Sequence, residues 1–221
     1  MKRTWGVCTH TLGPKHVEYL NRCVASIRQF YPKDKIVVIS SKNDYRHRVK
    51  EICDSTDAIF HEEYENINYE AGAWKYILDH HESDYWCFIQ DSCWLNRPLE
   101  FDDATNFWNR NLTFYGIFEG YVNATVQKVQ IVKSLAGTKW ENCFHDNFAM
   151  CEGNMIFCKD KVIKKLYSNG YFEYLPTNKG WSMNFERRMG LCLCLEGYED
   201  QIRQYTLKNK NIINKTFAKR D

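Results

Sequence analysis

A chain of 221 residues is long enough for one α/β domain. Its hydrophobic fraction of 44%, with 15% aromatic residues, is sufficient for a packed core and argues against a disordered protein. The 30 basic and 28 acidic residues give a net charge of +2 without a dense basic block, which argues against a nucleic-acid-binding protein.

The amino-terminal residues predict a protein without a leader or an anchor. A strand begins at residue 2, so the apolar core of a signal peptide has no place before it. No apolar run approaches the roughly 20 residues that a membrane span needs. We therefore expect a cytoplasmic protein without a membrane span.

Four short apolar strands alternate with three amphipathic helices in the first 90 residues. In chain order we predict a strand at 2–9, a helix at 17–31, a strand at 36–39, a helix at 44–53, a strand at 58–60, a helix at 69–81 and a strand at 85–89. This alternation predicts an α/β fold with a doubly wound, mostly parallel central sheet flanked by helices. Residues 9–14, in the first turn, contain one glycine, which argues against the G-x-G-x-x-G loop of oxidoreductases and methyltransferases.

The regular alternation of strands and helices ends after residue 95. We predict a strand at 112–118, a helix at 126–135, a strand at 154–158, a helix at 161–167 and a helix at 183–195 that Gly197 ends. No repeat or linker separates these elements from the earlier ones. We expect one domain over 1–221 that divides at residue 95 into a first half at 1–95 and a second half at 96–221, the second ending in a basic tail.

The ten cysteines predict a reduced protein. No C-x-x-C pair occurs, and several cysteines lie inside apolar runs, where a free thiol behaves as a small hydrophobic side chain. We expect most of them to be buried and unpaired.

The fourth strand ends in a polar cluster. Residues 85–95 read YWCFIQDSCWL, and Asp91 follows the apolar strand between Gln90 and Ser92. Ligands of open α/β sheets bind at the carboxyl ends of the strands. A carboxylate with amide and hydroxyl neighbours there suits a hard divalent cation that also holds a phosphate.

This segment resembles the hhhh-D-x-D strand end of GT-A glycosyltransferases, with Gln90 and Ser92 where the two acids would stand. Later segments keep the order of that family: a G-x-x-h-h strand at 153–157, a short helix, a helix that carries an acid at Glu186, and a Gly-Tyr turn at 197–198. The resemblance covers most of residues 4–200 and implies a nucleotide-binding half at 1–95 and an acceptor and catalytic half at 96–221. The composition and compactness also resemble the small glycosyltransferases of large algal viruses, which would imply a viral protein.

The resemblance implies a hexosyltransferase-type enzyme that moves a sugar from a nucleotide-sugar donor, most often a UDP-sugar, to a hydroxyl of a glycan or glycoprotein acceptor. It also implies Mn²⁺ or Mg²⁺ as the cofactor and inversion at the anomeric carbon. Asp91 would bind the cation that bridges the donor diphosphate. Glu186 would act as the base that takes the proton of the acceptor hydroxyl.

Other residues take roles by the same resemblance. The donor-binding candidates are Thr9, His10, Asp44, Gly72, Lys75, Gln90, Ser92 and Arg187. The acceptor-side candidates are His145, Asp146 and Trp181. Three of the donor-binding candidates have a structural alternative: Asp44 could cap a helix, Gly72 could be a packing glycine, and Lys75 could be a solvated surface lysine.

Two further functions stay open from the residues. A sugar-1-phosphate nucleotidyltransferase would share the fold, but residues 9–14 lack the glycine-rich basic loop of that class. A non-catalytic nucleotide- or sugar-binding module derived from a transferase is favoured by Gln90 and Ser92. Asp91 and Glu186 argue against it.

Overall fold

The computed structural model describes residues 1–41, 44–99, 114–116, 121–123, 128–143, 147–149, 151, 154–198 and 213–215. The strands in these ranges are β1 (Arg3–Thr9), β2 (Lys35–Ser40), β3 (Ile59–Phe60), β4 (Tyr85–Gln90), β5 (Cys93–Leu95), β6 (Phe114–Gly116), β7 (Tyr121–Asn123), β8 (Asn147–Ala149), β9 (Ile156–Lys159) and β10 (Ile213–Lys215). The helices are α1 (Pro14–Phe30), α2 (Arg46–Ser55), α3 (Tyr69–His80), α4 (Lys128–Ser134), α5 (Asp160–Ser168) and α6 (Lys179–Leu195).

Six strands form the central sheet in the order β3-β2-β1-β4-β9-β6. The first four are mutually parallel, whereas β9 is antiparallel to both β4 and β6. Five of the six strands therefore share one direction, and the predicted α/β class with a mostly parallel sheet between helices is confirmed. Two antiparallel pairs, β5 with β10 and β7 with β8, lie outside this sheet.

Both faces of the sheet are buried, because successive side chains of a strand point to opposite faces. Trp5 and Val7 of β1 belong to the core that includes α1. Phe88 of β4 belongs to the opposite core, together with Trp74 of α3 and Phe185 of α6. Apolar residues on both faces explain why the first strands read as continuous apolar runs.

The predicted elements of the first 90 residues are all present, with ends that differ by up to three residues. In the second half the differences are larger. The one strand of the mostly parallel sheet that runs against its neighbours is β9, which comes from the second half of the chain and pairs with β4 and β6. Helix α6 begins four residues earlier than predicted. The three-residue strands β5, β7, β8 and β10 carry too few residues for a periodic signal and were not predicted.

All ten cysteines lie within the described residues, and nine of them are buried, as predicted. Cys143 is exposed. In the part of the chain that the structure describes, no helix combines the length and the apolar character that a membrane span requires.

Candidate functional site

The candidate site lies where the parallel strands β1, β2 and β4 end together. The register pairs Thr9 with Ser40 and Cys8 with Gln90, so these residues mark one edge of the sheet. The Asp91 N–H donates to the Cys8 carbonyl at 3.1 Å, which continues the ladder one residue past β4. The aspartate is thereby fixed at the carboxyl edge, as the sequence predicts.

The Asp91 carboxylate is held by the chain that leaves β1. Its Oδ2 accepts from Thr9 Oγ1 at 2.8 Å and from the His10 N–H at 3.0 Å. Oδ1 has no hydrogen-bond partner among the described residues, so one oxygen remains for a ligand. Burial raises the pKa of Asp91 above the ordinary carboxyl value, and the two hydrogen bonds act in the opposite direction.

A second carboxylate at this edge, Glu70, was missed in the sequence. Its side chain accepts from Gln90 Nε2 at 2.5 Å and from Ser182 Oγ at 3.2 Å. Glu70 is only 9% exposed. A signal was present, because Glu70 precedes Ala73, Trp74 and Ile77 at the three- and four-residue spacing of the inward face of α3. An acid on an apolar helix face needs a partner, but the sequence does not show which one.

These two hydrogen bonds connect α3, the end of β4 and the first turns of α6. Glu186 lies one helical turn after Ser182, and residues four apart share a helix face. Glu186 is partly exposed, and its carbonyl accepts from the Cys151 N–H at 3.2 Å. The predicted base is therefore on the helix that contacts the strand end, along the face that meets Glu70.

The two arginines after Glu186 have different surroundings. Arg187 is partly exposed and donates to the Met183 carbonyl at 2.9 Å. Arg188 is completely buried, lies over the rings of Phe185 and Tyr171, and donates to the Gly170 carbonyl at 2.9 Å. The guanidinium of Arg188 therefore faces the core, whereas Arg187 is accessible to solvent in part.

Three predicted donor-binding residues have structural contacts that bear on their alternatives. A Cβ at Gly72 would lie 2.3 Å from Asn66 Oδ1, so packing alone requires glycine there. The Lys75 ammonium donates to Asp79 of α3 at 2.7 Å and to the Tyr167 hydroxyl of α5 at 2.8 Å. Neither contact is with a residue at the end of β4. Asp44 is exposed and does not cap α2, which begins at Arg46 without a side-chain cap. The capping alternative for Asp44 is wrong.

Two buried polar residues near the ends of β1 and β2, Asn66 and Ser40, were not predicted from the sequence. Asn66 is buried and donates to Ser41 Oγ at 2.5 Å and to the Tyr69 carbonyl at 2.6 Å. Ser40 Oγ is buried and has no hydrogen-bond partner among the described residues. Ser40 is the register partner of Thr9, so its hydroxyl lies on the same face of the sheet as the Thr9 side chain.

The remaining candidates lie at the edge of the site or outside the description. His10, whose N–H donates to the Asp91 carboxylate, is exposed. Ser92, the residue after Asp91, is partly exposed. Trp181 is 38% exposed in the first turn of α6, where its N–H donates to the Asn178 cap at 3.0 Å. His145, Asp146 and the glycine of the predicted G-x-x-h-h strand lie outside the described residues.

The possible metal ligands at the end of β4 restrict the kind of metal that could bind there. The described residues contain no cluster of three or more His, Cys, Asp or Glu side chains able to hold a metal ion. Asp91 offers one carboxylate and Ser92, the next residue, a hydroxyl, whereas the Gln90 amide donates to Glu70 on the other face of the sheet. This set fits a hard cation that takes most of its oxygens from water and a substrate diphosphate, as Mg²⁺ commonly does.

No family model and no curated protein matches this chain. Solved structures do match. TarS from S. aureus aligns with a TM-score of 0.52 and 13% identity over 86% of this chain and 33% of that one. The mannosyltransferase PcManGT from Pyrobaculum calidifontis, in complex with GDP-Man and Mn²⁺, aligns with a TM-score of 0.51 and 14% identity over 83% of this chain and 50% of that one.

These neighbours are GT-A-like glycosyltransferases, and at such identities the likeness shows the fold alone. The chain has a GT-A-like fold. It spans a third to a half of the length of the two structures that it matches.

Proposed function

We propose that this protein is a glycosyltransferase that transfers a sugar from a nucleotide-sugar donor, with a UDP-sugar as the first choice, to a hydroxyl of a glycan or glycoprotein, with inversion and a divalent cation. One observation carries the proposal. The hydrogen bonds from Gln90 and Ser182 to Glu70 join the end of β4, where Asp91 follows, to α6, where Glu186 lies one helical turn after Ser182.

The donor would bind at the ends of β1, β2 and β4. The Thr9 hydroxyl and the His10 N–H hold the Asp91 carboxylate in place, and its free oxygen would hold the cation with help from Ser92. When bound, Mn²⁺ or Mg²⁺ supplies neutralisation of charge on the departing nucleoside diphosphate. The Mn²⁺ in PcManGT, a protein of the same fold, supports a divalent cation here.

The nucleoside would lie next to Thr9, His10 and Asp44. The unpartnered Ser40 hydroxyl supports a polar ligand on this side, because a buried hydroxyl without a partner loses free energy. Gly72, Lys75 and Arg187 remain donor-side predictions, although the contacts of Gly72 and Lys75 favour structural roles.

The acceptor would bind between α6 and the strand end. Glu186 would take the proton of the acceptor hydroxyl as that oxygen attacks the anomeric carbon, and the nucleoside diphosphate leaves from the opposite face. Trp181, exposed in the first turn of α6, would line the acceptor side. The acceptor roles of His145 and Asp146, the division at residue 95, the cytoplasmic location and the viral origin stay predictions from the sequence.

A non-catalytic sugar- or nucleotide-binding module is the second candidate. It is favoured by Gln90, which replaces an acid of the D-x-D pattern and is engaged with Glu70. The two candidates differ in turnover, since a binding module would bind a donor without releasing a nucleoside diphosphate.

A panel of UDP-, GDP- and dTDP-sugars tests the proposal. We expect at least one to raise the melting temperature more with Mn²⁺ than with EDTA, because a ligand that binds only the folded state stabilises it by mass action. Release of the nucleoside diphosphate from the same compound would separate an enzyme from a binding module. Stabilisation by none of the nucleotide sugars, in either condition, would contradict the proposal.

A further inference from the structure

We propose that His61 and His81 form a binding site for a transition-metal cation such as Zn²⁺, away from the end of β4 where the donor cation is proposed. The site offers two imidazole nitrogens, which suit zinc, nickel and copper, whereas Mg²⁺ and Mn²⁺ favour oxygen ligands. It is independent of the proposed transferase function and uses residues that no motif of the sequence indicated.

The two imidazole rings face each other through the same ring nitrogen. His61 Nε2 lies 2.9 Å from His81 Nε2, and the ring centroids are 5.1 Å apart. Two nitrogens that each lie roughly 2.0–2.1 Å from one zinc ion are about 2.9 Å apart at a right angle and about 3.3–3.4 Å apart at the tetrahedral angle. The two rings therefore need to separate by no more than about 0.5 Å to hold the ion between them.

Tyr76 is placed to fix the tautomer of His61 that a metal requires. Its hydroxyl lies 3.3 Å from His61 Nδ1. A neutral imidazole carries one proton, so a metal on Nε2 leaves the proton on Nδ1, where the Tyr76 oxygen accepts it. Such a hydrogen bond behind a metal-binding histidine also fixes the orientation of the ring. The Tyr76 ring is itself stacked on Tyr64, with centroids 3.8 Å apart.

The backbone holds both histidines in place at the ends of two elements. The His61 N–H donates to the Val38 carbonyl at 3.5 Å, just after β3 ends. The His81 N–H donates to the Ile77 carbonyl at 2.9 Å, at the end of α3. His81 precedes the start of β4, whereas Asp91 follows its end. A metal here therefore links β3 to α3 at a distance from the candidate site, and both histidines are partly exposed, so that an ion can enter.

The surroundings of the pair set the expected strength of binding. His80 is not arranged as a third ligand, because its ring is stacked on Tyr76 at 4.0 Å and its Nδ1 donates to the Tyr76 carbonyl at 2.8 Å. Water then fills the other coordination positions. The charges of Lys2 and Lys35 act on His81 and oppose a cation. We therefore expect weaker binding than that of a structural zinc site with four protein ligands.

The test measures Zn²⁺ affinity without nucleotide, in a Cys143→Ser parent that lacks the exposed thiol. Zn²⁺ is titrated in competition with a chromophoric zinc indicator. The variants are His61→Ala, His81→Ala and Tyr76→Phe, and His47→Ala, which removes an exposed histidine of α2, is the matched control. Melting temperatures in EDTA report on folding separately.

We expect the parent to bind one equivalent of Zn²⁺ and to melt at a higher temperature with it, because the ion binds the folded state. Tyr76→Phe should weaken Zn²⁺ binding by about 10- to 100-fold, as is typical for the loss of a group that orients a metal ligand. His61→Ala and His81→Ala remove a ligand itself and should weaken binding by more than that. His47→Ala should bind Zn²⁺ as the parent does.

A parent that binds no Zn²⁺ would overturn the inference, since the two histidines would then form only a hydrogen-bonded pair. Parent affinity in folded His61→Ala and His81→Ala proteins would overturn it as well. If these variants do not fold, X-ray absorption of the zinc complex of the parent decides. We expect at least two imidazole ligands at roughly 2.0–2.1 Å, and a zinc ion bound by sulfur or by oxygen alone would overturn the inference.

Discussion

At the residue scale the candidate site contains carboxylates in three different settings. Asp91 is held by hydrogen bonds from Thr9 and His10 and keeps one oxygen for a ligand. Glu70 is buried and has donors on both oxygens. Glu186 is partly exposed on α6. The three carboxylates therefore differ in burial and in the number of hydrogen-bond donors that engage them.

Glu186→Gln tests the proposed base. Glutamine keeps the shape of the side chain but cannot take a proton, so we expect transfer to fall by roughly 10²–10⁴-fold with donor binding nearly unchanged. Transfer is measured as product formation, and donor binding as the thermal shift with Mn²⁺. Glu173→Gln, at an exposed position outside α6, is the matched control and should keep full activity. Full transfer by a folded Glu186→Gln protein would remove Glu186 from the mechanism.

The sequence predicts Asp91 and Glu186 because each stands in a local pattern, one at the end of an apolar strand and one on an amphipathic helix. Glu70 escaped prediction because its meaning depends on Gln90 and Ser182, which are 20 and 112 residues away in the chain. Such contacts follow from the tertiary structure and leave no local spacing. Ser40 and Asn66 were missed for the same reason.

At the element scale, α6 is fixed at both ends. Asn178 accepts from the Trp181 N–H at its start. At its end Gly197 has φ +83°, and the N–H groups of Gly197 and Tyr198 bond back to Cys194 and Leu193. This is a Schellman cap, and its glycine made the end of the helix predictable. The predicted start was four residues too late, because the first helical residues, Lys179 and Gly180, are not apolar and add nothing to the apolar periodicity.

Glu196, which follows α6, links the end of this helix to residues 139–140, to α5 and to the α5 C-cap. Its side chain, 3% exposed, accepts from Lys139, Trp140, Lys165 and Asn169. Burial acts to raise the pKa of Glu196, but the hydrogen bonds from Lys165, Lys139 and Trp140 outweigh it and lower the pKa below the ordinary value. The free energy that this carboxylate contributes is therefore present above the unfolded-state pKa of about 4.3 and is lost as the pH falls through the lower folded-state pKa.

Glu196→Gln should lower the free energy of unfolding at pH 7 by about 1.5–3 kcal/mol, the usual worth of hydrogen bonds to a charged group. The difference from the wild type should begin to shrink as the pH falls below the unfolded-state pKa of about 4.3, and it should be lost below the lower folded-state pKa, where the wild-type carboxylate is protonated as well. Urea denaturation at several pH values measures both. Glu51→Gln, which breaks an exposed pair with Arg48, should cost less than about 1 kcal/mol. Equal effects of the two substitutions would contradict the account of Glu196.

At the scale of the whole molecule, the two halves of the chain contribute to one sheet. Strands β1 to β4 were predictable, because strands buried on both faces read as apolar runs between amphipathic helices. The position of β9 between β4 and β6 was not, since a short apolar strand carries no information about its direction. The GT-A-like order of segments was visible in the sequence, but the reversed strand appeared only in the structure.

The burial of the thiols is also a property of the whole fold. Burial raises the pKa of Cys53 and Cys192 to about 12, which leaves little thiolate at neutral pH. We expect one thiol to react with a thiol reagent at once and nine to react only on unfolding. Cys143→Ser should remove the fast phase. Several fast thiols in the native protein, or disulfides found by mass spectrometry, would contradict the expected reduced core.

The most direct test of the central claim, that the end of β4 binds a nucleotide sugar together with a cation, is the thermal shift of Asp91→Asn. Asparagine can still accept from Thr9 and His10, so the variant should fold. In the wild type a nucleotide sugar at about 100 times its dissociation constant adds about 2.7 kcal/mol to the free energy of unfolding. We expect Asp91→Asn to show the same small shift with Mn²⁺ as with EDTA, whereas Asp54→Asn, an exposed control on α2, should behave as the wild type. A full Mn²⁺-dependent shift in Asp91→Asn would contradict the account.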